Sequence, residues 1–353
     1  MGNRYDPISK KKPRGASFFT AAEYTGAKGG GVTFRVGICG YGNLGRGVEA
    51  AVAAAPDAAL AAVFTRRDPG AVFLRTPGVP VVPVAEASEW QDRIDVMILC
   101  GGSAADLPVQ TPALASCFTL VDSFDTHERI PAHFAAVDAV ACRAGKLAII
   151  SAGWDPGLFS LFRLYAAAVL PEGNSYTFWG RGVSQGHSDA LRRIPGVTDA
   201  REYTIPSASA LEAVRRGEEP AEKLHVRECY VVPEDGANLR KIEEQIVNMP
   251  HYFKGYDTSI HFITAEEMRR DHAALPHGGI VIRNGKTGGD AHLMECSLRL
   301  DSNPAFTGGV LLAYARAACR LAAHGESGCR TPLDIPPAFL SPLPPEELLT
   351  AYL

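Results

Sequence analysis

One glycine-rich segment constrains the fold of this chain more than any other feature of its sequence. Residues 40–45, GYGNLG, have the spacing G-x-G-x-x-G and follow an apolar run at 34–39 that is typical of a buried strand. Residues 43–55 have the pattern of a helix, which Pro56 and Asp57 end. In such a strand–turn–helix unit the glycines allow a tight turn, close approach to a pyrophosphate and close helix–strand packing. The segment therefore predicts a dinucleotide-binding turn.

Strand-like and helix-like segments alternate after this turn. Further strands are predicted at residues 60–65, 95–100, 118–122 and 146–151. A helix is predicted at 131–144, between the last two strands. Strands that alternate with helices form parallel sheets joined by right-handed crossovers. We therefore predict an α/β fold in which residues 34–153 form a Rossmann domain with a doubly wound parallel sheet.

The pattern changes after a helix predicted at 157–170. Short strands are predicted at 176–179, 201–205, 224–232, 259–263, 279–283 and 292–300, with helices at 208–216, 238–249 and 265–271. This mixture predicts an α+β domain with a mixed sheet over residues 154–303. A long helix at about 304–323 and a proline-rich tail to residue 353 are expected to return to the first domain. Residues 1–33 are predicted to be a disordered N-terminal extension.

Composition excludes several classes of protein. The chain has 35 Lys and Arg against 39 Asp and Glu, so no basic field points to nucleic acid. Its most apolar stretch, 48–64, is interrupted by Pro56 and Asp57 and is shorter than the roughly 20 apolar residues that span a membrane. The eight cysteines include no C-x-x-C pair, so we predict no metal site. We expect a cytoplasmic protein that binds neither membrane nor nucleic acid.

The residues after the second strand indicate which dinucleotide is bound. Thr65 is followed by Arg66 and Arg67, where an NAD site usually has an acidic residue for the ribose. Two guanidinium groups suit a 2′-phosphate, so we predict NADP as the cofactor. The residues predicted to contact it are Gly40, Tyr41, Gly42, Asn43, Leu44, Gly45, Thr65, Arg66, Arg67, Cys100, Gly101, Gly102 and Ser103.

Two motifs of other enzyme classes occur in the sequence and are rejected. Residues 182–186 match G-x-S-x-G, the nucleophile turn of hydrolases, but Gly180 and Arg181 separate this segment from the preceding predicted strand. Residues 279–287 resemble a phosphate-binding loop, but five residues instead of four separate its glycines. Neither segment therefore changes the prediction of an NADP-binding protein.

Acidic side chains follow two of the predicted parallel strands. Asp122 and Asp125 follow one, and Asp155 follows the next within residues 151–157, SAGWDPG. The carboxyl ends of parallel strands meet at one edge of a sheet, where ligands bind. Carboxylates at that edge suit a substrate that carries an amine, because they can orient it and accept its proton. Which carboxylate acts as the base cannot be told from the sequence.

From about residue 34 to its C-terminus, the chain resembles the meso-diaminopimelate dehydrogenases. The resemblance is carried by the segments 40–46 (GYGNLGR), 151–157 (SAGWDPG), 178–180 (FWG), 184–197 (SQGHSDALRRIPGV), 249–255 and 276–279 (PHGG). The segment 184–197 is long and unusual, so the match is specific. It contains most of the G-x-S-x-G match, which further weakens the hydrolase interpretation.

The resemblance implies NADP-dependent oxidative deamination of meso-2,6-diaminopimelate at its D-centre. The products would be ammonia and L-2-amino-6-oxopimelate, which cyclises to tetrahydrodipicolinate, a precursor of lysine. It also implies a homodimer, with substrate binding and dimerisation in the second domain. Asp125 and Asp155 would be catalytic and hold the reacting amine. The residues implied to bind the rest of the substrate are Trp154, Trp179, Gln185, Gly186, Thr204, Arg227, His277 and Asn303.

Other functions remain compatible with these residues. A related NADP oxidoreductase, such as a dihydrodipicolinate reductase or a D-amino-acid dehydrogenase of broader specificity, would use a similar fold. A non-catalytic NADP sensor would bind the cofactor without turnover. Two positions depart from the family pattern, Ala152 in the 151–157 turn and Arg181 after Trp179 and Gly180. We expect these departures to affect the rim of the substrate pocket.

Overall fold

The structure is a computed structural model that describes residues 34–250 and 252–353. The prediction of a disordered extension at residues 1–33 lies outside the described residues. For Gln185 and Pro345 the structure describes the backbone alone.

The helices and strands occur in two successive groups, followed by a C-terminal segment. The first group is β1 (Phe34–Cys39), α1 (Asn43–Ala54), β2 (Ala58–Thr65), β3 (Val81–Pro83), β4 (Val96–Leu99), α2 (Leu107–Leu114), β5 (Leu120–Asp122), α3 (Ile130–Ala144) and β6 (Leu147–Ile149). The second group is α4 (Leu158–Val169), β7 (Gly173–Trp179), β8 (Gly182–Val183), α5 (Gln185–Arg192), β9 (Val197–Pro206), α6 (Ala208–Arg215), β10 (His225–Pro233), α7 (Leu239–Val247), β11 (Thr258–Phe262), α8 (Ala265–Asp271), β12 (His277–Thr287) and β13 (Asp290–Leu300). The C-terminal segment is α9 (Asn303–Ala323), β14 (Gly328–Arg330) and α10 (Pro345–Tyr352).

Seven parallel strands form the larger sheet, in the order β14-β6-β5-β4-β1-β2-β3. The chain moves outward from β1 to β3 on one side and returns to β4 on the other side of β1. The carboxyl ends of β1 and β4 therefore border a crevice at the point where the strand order reverses, which is where ligands bind in such sheets. The predicted α/β class and Rossmann topology are confirmed.

Both faces of this sheet are buried under helices. Along β4, Val96 and Ile98 belong to one apolar cluster, whereas Met97 and Leu99 belong to the cluster on the opposite face. Successive side chains of a strand point to opposite faces, so a strand covered on both sides is apolar at every position. This is why β4, and β1 after its exposed Arg35, appear in the sequence as short, continuous apolar runs.

The second group of elements forms two further sheets. One is mixed, in the order β11-β10-β9-β8, with β10 and β11 parallel and the other pairs antiparallel. The other is antiparallel, in the order β13-β12-β7, and its β12–β13 hairpin has the two-residue turn Gly288-Gly289. The predicted α+β arrangement with a mixed sheet is confirmed, and the structure adds the antiparallel sheet.

The long helix α9 returns to the first sheet, as predicted, and packs against α1 with direct backbone contact. A Cβ atom on Gly47 would lie 2.2 Å from the carbonyl oxygen of Pro304. A Cβ atom on Gly308 would lie 2.4 Å from the carbonyl carbon of Gly47. Glycine at both positions is therefore required for the two helix backbones to approach this closely.

Several elements of the structure were not predicted. The edge strands β3 and β14 have three residues each, too few to show a period. Helix α2 contains Pro112 in its interior, and proline is rare there. The tail was expected to be irregular, but it ends in α10, which has Pro345 in its first turn.

Alanine at Gly308 and at Gly309 should have opposite effects on stability. Gly308→Ala forces α1 and α9 apart and should lower the free energy of unfolding by about 1–3 kcal/mol. Gly309 is exposed, and no atom of the described residues lies within 4 Å of its Cβ position. Gly309→Ala should therefore raise stability by about 0.5–1 kcal/mol through its better helix propensity. Urea denaturation at fixed protein concentration measures both, and equal effects would contradict the packing described.

Candidate active site

The glycine turn joins the carboxyl end of β1 to the start of α1. Gly40 has a φ of +95°, and a Cβ atom on Gly45 would lie 2.3 Å from the Gly40 carbonyl oxygen. At Gly42, in contrast, an added Cβ would meet no atom of the described residues within 4 Å. No described side chain caps α1, so the N–H groups of its first turn remain available to an anion. This turn fits the pyrophosphate of a dinucleotide.

A cleft of about 810 Å³ connects this turn with the second group of elements. The predicted site residues that line it are Gly42, Asn43, Leu44, Cys100, Gly101, Gly102, Ser103, Asp125, Trp154, Asp155, Trp179, Gly186, Thr204, Arg227, His277 and Asn303. Those that do not line it are Gly40, Tyr41, Gly45, Thr65, Arg66 and Arg67. The side chain of Gln185 lies outside the described part of the chain. Residues from distant parts of the sequence thus meet in one space.

The two arginines after β2 have different surroundings. Both are exposed, and Nη1 of Arg66 lies 2.8 Å from Oδ1 of Asp106. Arg67 donates a hydrogen bond to the carbonyl oxygen of Tyr41, and its backbone N–H donates to the hydroxyl of Thr65. The Tyr41 side chain is buried and donates to Glu49, so only its backbone faces the turn. Arg66 is therefore the better placed of the two to exchange its partner for a phosphate.

A buried carboxylate supports the loop that carries Asp125. Asp122 is fully buried and accepts hydrogen bonds from the Thr111 hydroxyl at 2.8 Å and from His133 Nε2 at 2.7 Å. It also accepts from the backbone N–H groups of Phe124 and Ser151. One carboxylate therefore ties the end of β5 to the turn that precedes Trp154 and Asp155.

The two carboxylates predicted to be catalytic both line the cleft, but their environments differ. The Asp155 side chain is only 1% exposed and accepts hydrogen bonds from Arg163 and from Trp179 Nε1, the latter at 2.7 Å. Asp125 is exposed, and its backbone N–H donates to the hydroxyl of Ser103. The loop at 100–103 is thereby connected to Asp125.

Where β9 and β10 border the cleft, a buried cation and a buried carboxylate lie together. Arg227 Nη1 lies 3.4 Å from Oε1 of Glu202 and donates to the hydroxyl of Thr204, which itself donates to Glu202 at 3.2 Å. The Arg227 guanidinium also lies 4.5 Å from the ring centroid of Tyr256. Its buried Nε–H has no hydrogen-bond partner among the described residues. The group can therefore accept a further anionic partner.

Trp154, His277 and Asn303 form one connected group in the wall of the cleft. Trp154 Nε1 donates to Asn303 Oδ1 at 2.9 Å, and the Thr307 hydroxyl donates to the same oxygen at 3.1 Å. The rings of Trp154 and His277 lie 4.9 Å apart, and Nδ1 of His277 accepts from the N–H of Gly278. Because the Asn303 oxygen already accepts two bonds, its NH₂ group is the part left for a ligand.

The G-x-S-x-G segment forms a helix cap. Strand β7 ends at Trp179, so Gly180 and Arg181 separate it from the motif as expected, and the first two residues of the motif form the short strand β8. The Ser184 hydroxyl accepts from the N–H of His187 and lies 2.6 Å from His187 Nδ1. Burial lowers the pKa of His187 to about 4, and the charge of Arg227 contributes to this shift. Ser184 thus caps α5 and lies in the wall of the cleft.

The two departures from the family pattern lie away from the lining of the cleft. Ala152 is fully buried in the core and donates its N–H to the carbonyl oxygen of Asp122. Arg181 forms an ion pair with Glu228 and covers the ring of Tyr203. Neither residue is among those that line the cleft.

The described residues contain no group of three or more His, Cys, Asp or Glu side chains arranged to hold a metal ion. Within the same residues, no helix is long and apolar enough to cross a membrane.

Three residues of the site were not found by sequence reasoning. Arg163 is the single charged residue in α4, which is otherwise apolar, and that isolation was the available signal. Glu202 lies two residues before Thr204 on β9, hence on the same face of the strand. His187 lies inside the segment 184–197, but nothing in its spacing indicated its contact with Ser184.

Comparison with known proteins identifies close relatives. The family model for the diaminopimelic acid dehydrogenase C-terminal domain matches residues 153–302. The meso-diaminopimelate D-dehydrogenase of Ureibacillus thermosphaericus is 57% identical over 318 residues, which cover 89% of this chain and 97% of that protein.

Solved structures give the same result. A mutant meso-diaminopimelate dehydrogenase from Clostridium tetani E88, solved with DAP, has a TM-score of 0.86 and 49% identity. An engineered D-amino acid dehydrogenase bound to NADP⁺ has a TM-score of 0.81 and 44% identity. Each match covers 91% of this chain and 100% of the solved chain.

The buried carboxyl group of Glu202 should make stability depend on pH. Burial raises its pKa to about 7 although Arg227 and Thr204 oppose the shift, so the folded state binds a proton that the unfolded state has lost. Its contribution is therefore most favourable below about pH 4.5 and declines as the pH rises through about 7. Glu202→Gln removes this decline, so the stability of the variant relative to wild type should increase from pH 5 to pH 8, by about 1–3 kcal/mol.

Thermal or urea unfolding at several pH values measures this difference. Glu243→Gln on the exposed side of α7 is the matched control, because that side chain stays in water when the protein folds. A difference between Glu202→Gln and wild type that did not change with pH would contradict the assignment.

Proposed function

The chain belongs to the meso-diaminopimelate D-dehydrogenase family, and from this we propose that it catalyses the NADP-dependent oxidative deamination of meso-2,6-diaminopimelate. The reaction occurs at the D-centre and gives L-2-amino-6-oxopimelate, which cyclises to tetrahydrodipicolinate, together with ammonia. It is reversible and belongs to lysine and diaminopimelate biosynthesis.

One feature of the structure supports this proposal independently of family membership. A single cleft is lined by the dinucleotide turn with Gly42, by Asp125 and Asp155, and by Arg227 from the second group of elements. A substrate with a charged amino acid group at each end needs polar partners at both ends. The cleft supplies carboxylates for one amine and a guanidinium for the distant carboxylate.

NADP is the proposed cofactor. Its pyrophosphate would be held by the N–H groups at the start of α1, and its 2′-phosphate by Arg66. The loop at 100–103, which follows β4, would lie along the nicotinamide ribose. When bound, NADP supplies the acceptor for the hydride that leaves the D-centre carbon.

The residues of the second group of elements would orient the substrate. Arg227, with Thr204 and His277, would bind the distal carboxylate through charge-assisted hydrogen bonds. Asn303 would contribute its NH₂ group, since its oxygen is occupied by Trp154 and Thr307. Holding the distal end fixes which face of the reacting carbon is presented, and thereby selects the D-centre.

We also propose the assembly, domain division and location of the enzyme. Residues 34–153 with 304–353 would bind NADP, and residues 154–303 would bind substrate and form a homodimer. The surface of helix α4 is an argument for the dimer, because four of its large apolar side chains are each more than one-third exposed. These are Leu158, Leu164, Tyr165 and Val169. Because NADP is an intracellular cofactor, the enzyme would act in the cytoplasm. Sedimentation analysis tests the dimer, and a monomer at every concentration would exclude it.

The proposed reaction is tested by offering the purified protein meso-, LL- and DD-diaminopimelate separately and following NADPH formation. We expect turnover with the meso isomer and NADP. Turnover with simple D-amino acids as well would indicate a broader dehydrogenase. Reduction of a cyclic imine without free ammonia would indicate a dihydrodipicolinate reductase, and NADP binding without any turnover would indicate a sensor.

Arg66→Met should weaken the binding of NADPH about 10–100-fold and that of NADH by less than about threefold, because the 2′-phosphate loses a charged donor. Equilibrium fluorescence titration of both cofactors gives this ratio directly. Arg35→Met is the matched control, since Arg35 is also an exposed arginine paired with an aspartate, Asp95, but lies at the opposite end of β1 from the glycine turn. An unchanged NADPH to NADH ratio in Arg66→Met would contradict the role of Arg66.

A further inference from the structure

Asp155 is held through both of its carboxylate oxygens by groups of the protein itself. Oδ1 accepts a hydrogen bond from Nη2 of Arg163 at 2.5 Å. Oδ2 accepts from Nη1 of Arg163 at 3.3 Å and from Nε1 of Trp179 at 2.7 Å. The position and orientation of the carboxylate are therefore fixed before any substrate arrives.

Arg163 lies behind Asp155 and is itself anchored. Its guanidinium donates to the hydroxyl of Ser160 at 3.2 Å and to that of Thr177 at 3.1 Å, which links α4 to β7. Its side chain is 27% exposed, and it is not among the residues that line the cleft. Arg163 thus reaches the cleft only through Asp155.

Asp125 has the opposite environment. It is exposed at the end of the loop that Asp122 supports, and it lines the same cleft. Its backbone N–H donates a hydrogen bond to the hydroxyl of Ser103. No residue within the described ranges 34–250 and 252–353 forms a hydrogen bond or ion pair with its carboxylate. The Asp125 carboxylate is thus in contact with water and has capacity for a new partner.

We propose that these two carboxylates have separate tasks and that Arg163 is the positioning residue that separates them. Asp155, fixed by Arg163, accepts a hydrogen bond from the substrate amine and orients it. Asp125 is the base: an N–H bond of the substrate ammonium breaks, the proton bonds to a carboxylate oxygen of Asp125, and the electron pair stays on nitrogen. The proton then passes from Asp125 to water. This inference rests on the proposed deamination of an amino acid.

The charges of the site explain this division. Transfer of the proton to Asp125 converts an ammonium and a carboxylate into two neutral groups. Transfer to Asp155 would instead leave the guanidinium of Arg163 without its counter-charge in a largely buried position, which is costly. It would also require the proton to leave a carboxylate whose side chain is 1% exposed.

Four variants at these positions test the proposal, through kcat and KM for the meso isomer over a range of pH and through calorimetric measurement of substrate affinity. Asp125→Asn should lower kcat about 100-fold or more, remove the acidic limb of its pH profile and change substrate affinity by less than about threefold. Asp155→Asn and Arg163→Met should weaken substrate binding about 10–100-fold and keep the acidic limb. Arg163→Lys, which retains the charge, should recover part of the affinity.

Arg215→Met is the matched control, because Arg215 grips Glu295 through two hydrogen bonds outside this cleft, and it should leave all parameters unchanged. The proposal is overturned if Asp155→Asn loses the acidic limb while Asp125→Asn keeps it, or if Arg163→Met retains native affinity. If Arg163→Met does not fold, the substrate affinity of Arg163→Lys and the pH profiles of the two aspartate variants still test the proposal. Failure of the wild type to oxidise the meso isomer would instead overturn the proposed function.

Discussion

The direct backbone contact between α1 and α9 holds the two walls of the cleft in one arrangement. Helix α1 begins at the dinucleotide turn, whereas α9 begins at Asn303, whose side chain accepts a hydrogen bond from Trp154. Gly47 and Gly308 let these helices meet without side chains between them. Further along α9, Leu311 and Ala315 enter the same apolar cluster as the sheet. The wall of the cleft that contains Trp154 and Asn303 is therefore built onto the wall that contains the dinucleotide turn, and shares its core.

A second feature recurs along the cleft: each charged group that would contact the substrate is supported by a second ionisable group behind it. Asp122 anchors the loop of Asp125, Arg163 grips Asp155, and Glu202 pairs with Arg227. Asp122 fixes the backbone of the loop that carries Asp125. The two ion pairs, Arg163 with Asp155 and Glu202 with Arg227, restrict rotamers and keep those functional groups oriented in the free protein, which lowers the conformational cost of binding. The same pairs bury charge, so their integrity matters for stability as well as for turnover.

Sequence reasoning was most successful where a local pattern has a single structural solution. The G-x-G-x-x-G turn between β1 and α1 and the buried strands of the larger sheet follow from glycine geometry and apolar runs. The residues proposed for the substrate came from motif resemblance, and the structure brings all of them with described side chains to one cleft. Arg163 was missed because its importance lies in a contact across α4 and β7 that no spacing reveals. The three-residue edge strands form only because neighbouring strands offer them partners.

The ion pair between Arg66 and Asp106 would compete with the 2′-phosphate that we propose Arg66 to bind. In the free protein Asp106 occupies the guanidinium and also accepts from the backbone N–H of Gly102, in the loop that follows β4. A phosphate that binds Arg66 would replace the Asp106 carboxylate, so the net binding free energy from this contact is the difference between two ion pairs. Ionic screening weakens both states, and the salt dependence of binding is correspondingly smaller than that of a phosphate meeting an unpaired arginine. Arg66 pairs with Oδ1 of Asp106, whereas the N–H of Gly102 donates to Oδ2. Loss of Arg66 would therefore leave the hydrogen bond that holds the loop in place.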